Sequence, residues 1–597
     1  MTQSYLGLPP DLKVHLVDNI DTAWEMKRWL GQRHDVIGVD TETSGLNPYA
    51  PDAKLRMIQI GDQKEGWAIP WEQWGGAALE VLNAWTGIFT VHNLPFDAKW
   101  LKHHAKWDIP WDRTHDTMIM YNMLYPGAPA TLKGITKLHI DPRAAAGQDY
   151  LESEMKKNGF GWHNIPLNNE AYWTYSALDP VLDAHIWQFL RADLAYPDSF
   201  DLEMSALRIC SNMEDRGIYV DVDYCIQKRD ELEKYVESAK KWGQENLGIS
   251  ISSNPQLATY FRDTLGANLT QVTPGGSPSM DKKVMAELAN DPDPKISRLA
   301  KFIEEVRKAD KIRGSYFENF IADQTNGLLH PSIKTMRAVT GRMSVTSPAL
   351  QTLHKDDKMV RNAIIPGPGR FLMSSDLDQV EFRIFAHLSQ DEALINTFLE
   401  SDRDGSDIFT EIGRRIYGDV NFQKSDVRRK LVKSTIYGRL YGSGVAKMAE
   451  TAGVSVDVMA EVNTGLDESF PGIKIYQKQM ERDVKNRITV DGYPYIETLV
   501  TKRRIPVEED RIYSGLNYTI QSSAAEVFKR NLVRLDLAGL GDYMVIPVHD
   551  EIVIAPPDDS SVREISEVLS ECMTTTEGWS VPLTSGTEGP FKRWGMK

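Results

Sequence analysis

The sequence predicts a multidomain fold in which an α/β unit is followed by a mostly helical segment and then by an α+β unit. Three observations lead there. At 597 residues the chain is too long for one hydrophobic core, since domains usually run about 100–200 residues. Its first third alternates strand-like and helical patterns, which favours a sheet flanked by helices. Its last half carries two apolar, strand-like runs that each close on an aspartate: Asp376 in FLMSSDLDQVEFRIFAHLS and Asp550 in YMVIPVHDEIVIAPP.

Taken in order, DVIGVDTET reads as a buried strand ending in acids, LRMIQIGD as the next strand, and FTVHNLPFDAKWL as a strand followed by a helix. From about 200 to 325 helical spacing dominates. DLEMSALRICSNMEDRG ends on a glycine stop signal, KRDELEKYVESAKKWGQENLG is a long charged amphipathic helix, SSNPQLATYF opens with a helix start signal, and TPGGSPS is a connector. Beyond 326, short strands frame the two aspartate segments, and a helix-rich stretch from about 391 to 535 separates them.

Composition narrows the function. Hydrophobic residues are 41% and charged residues 25%, the balance of an ordinary globular chain. No run of about 18 apolar residues occurs, so no membrane helix is expected. The N-terminus lacks the regions of a signal peptide, so a cytoplasmic location is expected. Three cysteines without a CxxC fit a reducing compartment and argue against zinc. The net charge of −16 opposes nucleic-acid binding only on average, because screening confines surface fields to about 8–10 Å. Two basic clusters, Lys424 to Lys433 and Lys502-Arg503-Arg504, supply local positive charge.

Two constellations carry chemistry. In the first, Asp40 and Glu42 in VDTET share one face of an extended strand. Asp97 follows in HNLPFDAKWL, and Tyr175 and Asp179 stand four apart in YSALDPVLDAHI, on one helix face. Any one acid alone reads as a solvated residue or a cap. The ordered set DxE … NxxxD … YxxxD suits two-metal hydrolysis of a phosphodiester, with acids holding metals and a phenol orienting water. His92, His115, Asp116 and Asp183 fall near these motifs and read as supporting residues. In the second, Arg429, Lys433, Tyr437 and Tyr441 recur every four residues along RRKLVKSTIYGRLYG. Cations at the start of such a face can grip a triphosphate, and an aromatic further on can stack on a base or sugar. Gly438 and Gly442 would allow close approach. Asp376 and Asp550, brought together, could hold two Mg²⁺ ions about 3.5–4 Å apart, as in-line displacement at phosphorus requires.

The first set resembles the proofreading exonucleases with four acids and a tyrosine, related to ribonuclease D, over about residues 30–190. The resemblance implies a ribonuclease H-like domain in which Asp40, Glu42, Asp97 and Asp179 bind metal and Tyr175 positions the water. The second resembles the fingers helix of the family A DNA polymerases, which include bacterial DNA polymerase I and many bacteriophage replicative enzymes. DLDQVEFRIFAHLS is similar to the first palm motif of that family. This implies Asp376 and the backbone of Leu377 as metal ligands, Gln379 at the nucleotide, and Glu381 crowding a ribose 2′-OH. VHDEIV is similar to the last palm motif, with Asp550 as metal ligand, His549 near the primer terminus and Glu551 secondary. TGRMS…SPALQ implies Arg342 and Gln351 on the duplex minor groove, and NYTIQSSAAE implies Asn517 and Gln521 on template or primer. Arg429 and Lys433 would bind triphosphate, with Lys433 as a proton donor to pyrophosphate, while Tyr437 and Tyr441 would face the nucleotide.

The resemblance thus implies a right-hand polymerase: exonuclease 1–195, helical thumb 196–325, palm 326–390 and 536–597, fingers 391–535. It implies Mg²⁺, two per site, with Mn²⁺ as a substitute. It also implies primer–template DNA and dNTPs as partners, a monomer, no 5′ nuclease, and a role in phage replication. Three positions depart from the family pattern. Tyr437 replaces a common Phe and implies ready dideoxynucleotide use. Phe409 replaces a His that helps bind phosphate. Leu377-Asp378 replaces Tyr-Ser and puts Asp378 near the nucleotide, with no role assigned. Other readings remain open: an exonuclease whose C-terminal region only binds nucleic acid, a single-subunit RNA polymerase, which Glu381 disfavours, and a nonenzymatic scaffold.

Overall fold

The apolar run around Val36 forms the middle of a six-stranded mixed sheet. In the computed structural model, which describes residues 11–32, 35–192, 194–273, 275–276, 278–353 and 357–597, the strands are β1 (Lys13–Leu16), β2 (Val36–Thr43), β3 (Leu55–Gly61), β4 (Glu65–Pro70), β5 (Ile88–Val91) and β6 (Thr114–Asp116). They are ordered β1-β4-β3-β2-β5-β6, and β2 pairs antiparallel with β3 and parallel with β5. Helices α1 (Leu94–Trp100), α2 (Leu132–His139) and α3 (Glu170–Arg191) pack around it. Two glycines set the depth of α3. A Cβ on Gly38 would meet the Pro180 carbonyl oxygen at 2.1 Å, and one on Gly66 the Ala177 oxygen at 1.9 Å. The α3 backbone therefore lies directly on β2 and β4, which only glycine permits.

The chain then runs through α4 (Pro197–Arg216) into a helical arm. There α5 (Val222–Leu247) and α6 (Pro294–Ile312) share a separate apolar core that includes Val236, Phe261, Leu288 and Ile303. Gly217 stops α4 as its spacing predicts. TPGGSPS includes Pro274 and Ser277, which lie outside the described residues.

The largest core surrounds a four-stranded antiparallel sheet: β7 (Leu372–Leu377), β8 (Met544–Val548), β9 (Glu551–Ile554) and β10 (Ser585–Phe591), ordered β8-β9-β7-β10. Helices α7 (Val380–Ser389), α8 (Ile408–Tyr417), α9 (Arg428–Leu440) and α10 (Ser514–Leu535) pack on one another within the same core. The N-terminal unit is bound to this body by Lys102 to Asp215 at 2.7 Å, Lys334 to Asn93 at 2.8 Å and a Tyr49–His330 ring stack at 3.6 Å, with Met204, Leu207 and Met336 packed into its core. All three cysteines are buried and free. Among the described residues no helix is long and apolar enough to cross a membrane.

Candidate active sites

The first site lies where α1 and α3 cross β2. Asp40 and Glu42 stand two apart on β2, Asp97 is on α1, and Tyr175 and Asp179 are one turn apart on α3. Glu42, Asp97 and Asp179 are all buried. Thr41 Oγ1 donates to Asp97 Oδ1 at 2.6 Å, and Ser176 Oγ donates to Glu42 Oε1 at 3.2 Å. Burial disfavours charged carboxylates here, and each acid adds to its neighbour's difficulty. Glu42 is pushed up to about 8 by burial and then by Asp40. Asp97 is raised well above its usual range for the same two reasons, and Asp40 is raised by burial.

Sequence reading missed the residue that offsets this charge. Lys133, on α2, pairs with Asp179 and lies 4.4 Å from the centroid of the Tyr175 ring. Its ammonium opposes the upward shifts of Asp40 and Glu42. TLKGITKLH reads only as an amphipathic turn of helix, so no local signal marked it.

The supporting residues form a layer behind the acids. Asp116 caps the Thr117–Leu124 helix and accepts the Leu94 N–H at 2.8 Å, which fixes the start of α1. Thr117 donates to Asp183. His92 bridges Thr117 and the Ala130 carbonyl, both at 2.9 Å, and burial pushes it down to about 4, so it stays neutral. His115 accepts from Trp187 Nε1 at 2.9 Å.

The second site is centred on a two-residue turn. β8 and β9 form a hairpin whose tip is His549-Asp550, with His549 at φ 57°. β7 pairs with β9 so that Asp376 opposes Glu551, and the Leu377 N–H donates to the Asp550 carbonyl at 3.2 Å. The chain thus joins its two distant aspartate segments through its backbone. Asp550 is pushed up to about 6 by desolvation, with Glu381 and Asp376 adding repulsion against the pull of Arg342. Lys597 Nζ stands 2.9 Å from Glu551, holding that acid to the C-terminal segment.

Glu381, on the first turn of α7, is buried and accepts from Tyr441 Oη at 2.8 Å while pairing with Arg342. Gln379 precedes that helix at φ 47°. Gln351 Oε1 accepts from Val345 N at 3.2 Å, and Gln521 meets Thr340 at 3.5 Å, with Asn517 one turn away on α10. Arg429, Lys433 and Tyr437 lie along α9. Tyr441 falls just past its end and stacks on Tyr437 at 6.2 Å.

Several expectations change. Gly438 makes room not for a ligand but for the Met448 side chain, which a Cβ would meet at 2.3 Å. Gly442, at φ 68°, ends the helix beside Tyr513. Lys502-Arg503-Arg504 is not a surface patch. Arg503 is 1% exposed and lies 3.9 Å from Glu526, and Arg504 turns to Glu497 and Asp491. Arg428 is likewise held by Asp419 and Asp426. Asp378 receives the Thr584 hydroxyl at 3.1 Å and gives its N–H to the Thr584 carbonyl at 2.9 Å, so it ties β7 to the chain before β10.

Both sites suit a hard divalent cation. Their donors are carboxylates, the ligand type of Mg²⁺. The upward shifts of Asp40, Glu42, Asp97 and Asp550 come first from burial and, in all but Asp40, also from neighbouring carboxylates, a cost that a bound cation would relieve. Among the described residues no three His, Cys, Asp or Glu side chains stand close enough to chelate one ion by themselves. Mg²⁺ commonly completes its shell with water and substrate phosphate.

Comparison with known proteins agrees. A family profile described as DNA polymerase family A matches residues 222–595, and one described as 3′-5′ exonuclease matches residues 14–195. The chain is 29% identical to a DNA polymerase of Mycobacterium phage D29, over 94% of each chain. It is 26% identical to that of Mycobacterium phage L5, over 93% of this chain and 92% of the relative. With DNA polymerase I of Pseudomonas aeruginosa it shares 29% over 94% of this chain and 63% of that protein. In fold it is similar to the POL domain of Pol1 from M. smegmatis, solved in complex with DNA primer-template and dNTP. That match has a TM-score of 0.76 at 21% identity and covers 98% of this chain and 99% of that one. Family A polymerase and exonuclease domains generally depend on divalent metals. With a catalytic-domain profile spanning more than half its length and an exonuclease profile before it, the chain belongs to DNA polymerase family A and carries an N-terminal 3′–5′ exonuclease domain.

Proposed function

We propose that this polymerase extends a primer 3′-OH with dNTPs at Asp376 and Asp550, and removes mispaired 3′ ends at Asp40, Glu42, Asp97 and Asp179, in replication of a phage genome in the host cytoplasm. The observation that carries the reading is the 3.2 Å hydrogen bond joining Leu377 to Asp550. It unites the two acid segments, and Tyr437 of α9 lies close enough to feel the charge of Asp550. Similarity to two mycobacteriophage polymerases over nearly their whole length supports the phage role.

Asp376, Asp550 and the Leu377 carbonyl would hold two Mg²⁺, and the four N-terminal acids would hold the exonuclease pair. Bound Mg²⁺ would supply Lewis-acid activation of the attacking oxygen and neutralise charge on the leaving group. Arg429 and Lys433 would bind the β- and γ-phosphates, and Lys433 would donate a proton to departing pyrophosphate. Arg342, Gln351, Asn517, Gln521 and His549 line the path of the duplex. The minor groove offers them a nearly sequence-independent set of acceptors. A primer-extension assay with matched and mismatched termini, with and without dNTPs and Mg²⁺, tests both halves. Digestion without extension under every condition would leave a nuclease alone.

Glu381 sets sugar choice in this reading. Its carboxylate is pinned between Tyr441 and Arg342, so it would crowd a 2′-OH on a sugar placed beside it. Glu381→Ala is expected to raise kcat/KM for ribonucleotides relative to dNTPs by about ten- to a hundredfold. An unchanged ratio would remove this residue from sugar discrimination.

Lys133 completes the exonuclease site. Positioned beside Asp179 and the Tyr175 ring, its ammonium would meet the scissile phosphate once metal occupies the acids. Lys133→Met is expected to slow single-strand digestion by about ten- to a hundredfold at saturating Mg²⁺, with extension rates retained. Full digestion activity in this variant would assign the lysine to folding alone.

A further inference from the structure

Asp407 and Phe409 lie at the start of α8, beneath the cationic end of α9. Asp407 is itself immobilised, because it caps α8: its Oδ2 accepts the Thr410 N–H at 2.9 Å and the Thr410 hydroxyl at 2.8 Å. The same carboxylate takes Arg429 in a two-point fork, Nε to Oδ2 at 2.7 Å and Nη2 to Oδ1 at 2.6 Å. That geometry fixes the guanidinium plane and leaves Nη1 outside the fork. Phe409 is 3% exposed and supports both cations from below, with the Arg429 guanidinium carbon 5.4 Å and the Lys433 ammonium 5.6 Å from its ring centroid. Among the described residues Lys433 pairs with no carboxylate, and its second aromatic contact is Tyr437 at 5.7 Å. The Phe409 ring stacks on Phe382 of α7 at 6.0 Å and 11°. The support therefore reaches back to the helix that follows Asp376.

We propose that Asp407 and Phe409 act together as positioning residues that fix Arg429 and Lys433 in place for the triphosphate of the incoming nucleotide. The inference rests on the nucleotide-site reading above. It also accounts for an apolar ring at position 409. The ring contributes no hydrogen bond to phosphate. Its negative face holds two long, flexible cations in a shared orientation, so less side-chain freedom is lost when the nucleotide arrives.

Single-nucleotide incorporation kinetics on a fixed primer–template test this in the full-length protein. Asp407→Asn retains a good helix cap but loses the charged fork. It is expected to raise KM for dNTP by about tenfold while primer–template Kd and the single-strand digestion rate stay put. Phe409→Leu keeps apolar volume and loses the ring face, with an expected rise of about three- to tenfold. Because both act through Arg429, the double variant should fall short of the product of the two effects. Arg429→Ala serves as reference. If it raises KM strongly while Asp407→Asn and Phe409→Leu leave KM at the wild-type value, the positioning role is overturned and the nucleotide site stands. If Arg429→Ala also leaves KM unchanged, the nucleotide-site reading fails and takes this inference with it. Should Phe409→Leu lose thermal stability, Asp407→Asn alone decides.

Discussion

Replacing Asp376 or Asp550 with Ala is expected to abolish template-directed extension, by about a thousandfold or more, and to leave digestion of single-stranded DNA intact. The size follows from what is lost. Asp376 and Asp550 are joined by the pairing of their own segments, and Asp550 is already crowded by Glu381 and Asp376. Removing either would take away a ligand that positions charge in an in-line displacement, where each 1.36 kcal/mol is about tenfold in rate. Digestion should survive because the N-terminal acids are built on a different sheet with its own core. Rapid-quench extension and single-strand digestion, measured on the same preparation, check both halves. Loss of both activities together would place the aspartates in folding. Retention of extension would sink the polymerase assignment of this pair.

Asp40→Ala or Asp97→Ala should do the reverse, lowering 3′ digestion by about a thousandfold or more while extension continues and mismatched ends accumulate. Proton linkage adds a signature. Burial favours the protonated forms of Glu42, Asp97 and Asp40, pushing Glu42 up to about 8, so cation binding expels protons wherever these groups still hold them. The Mg²⁺ concentration for half-maximal digestion should therefore fall as pH rises from 6 to 8. The stability sign runs the same way. A carboxyl whose folded pKa is raised makes the metal-free fold lose stability as pH climbs through that interval, and added Mg²⁺ should restore it. A digestion profile whose Mg²⁺ requirement is independent of pH would remove proton–metal competition from this site.

How much of this was legible depended on whether a residue's partners were close in sequence. Asp40 and Glu42 were, because an extended strand fixes their common face. Asp376 and Asp550 were each legible only within their own segment, as the acid that closes an apolar strand-like run, and strand pairing between distant segments decided that they meet. Arg429, Lys433 and Tyr437 were, because helical spacing aligns them. Lys133 was not: it reaches Tyr175 and Asp179 only when α2 packs beside α3. Arg503 looked cationic and exposed, yet it is buried near Glu526 on another helix. Gly438 looked like room for a ligand and is filled by Met448.

The sequence by itself determined the chemistry: which acids, cations and phenols exist, and which of them share a strand or a helix face. It did so because backbone periodicity is local and every residue's face follows from its neighbours. Tertiary structure alone decided the electrostatics. The pairing of Asp407 with Arg429, of Phe409 with two cations and of Lys133 with the exonuclease acids arises from helices packed across each other, and the energy of a charge depends on what surrounds it in space.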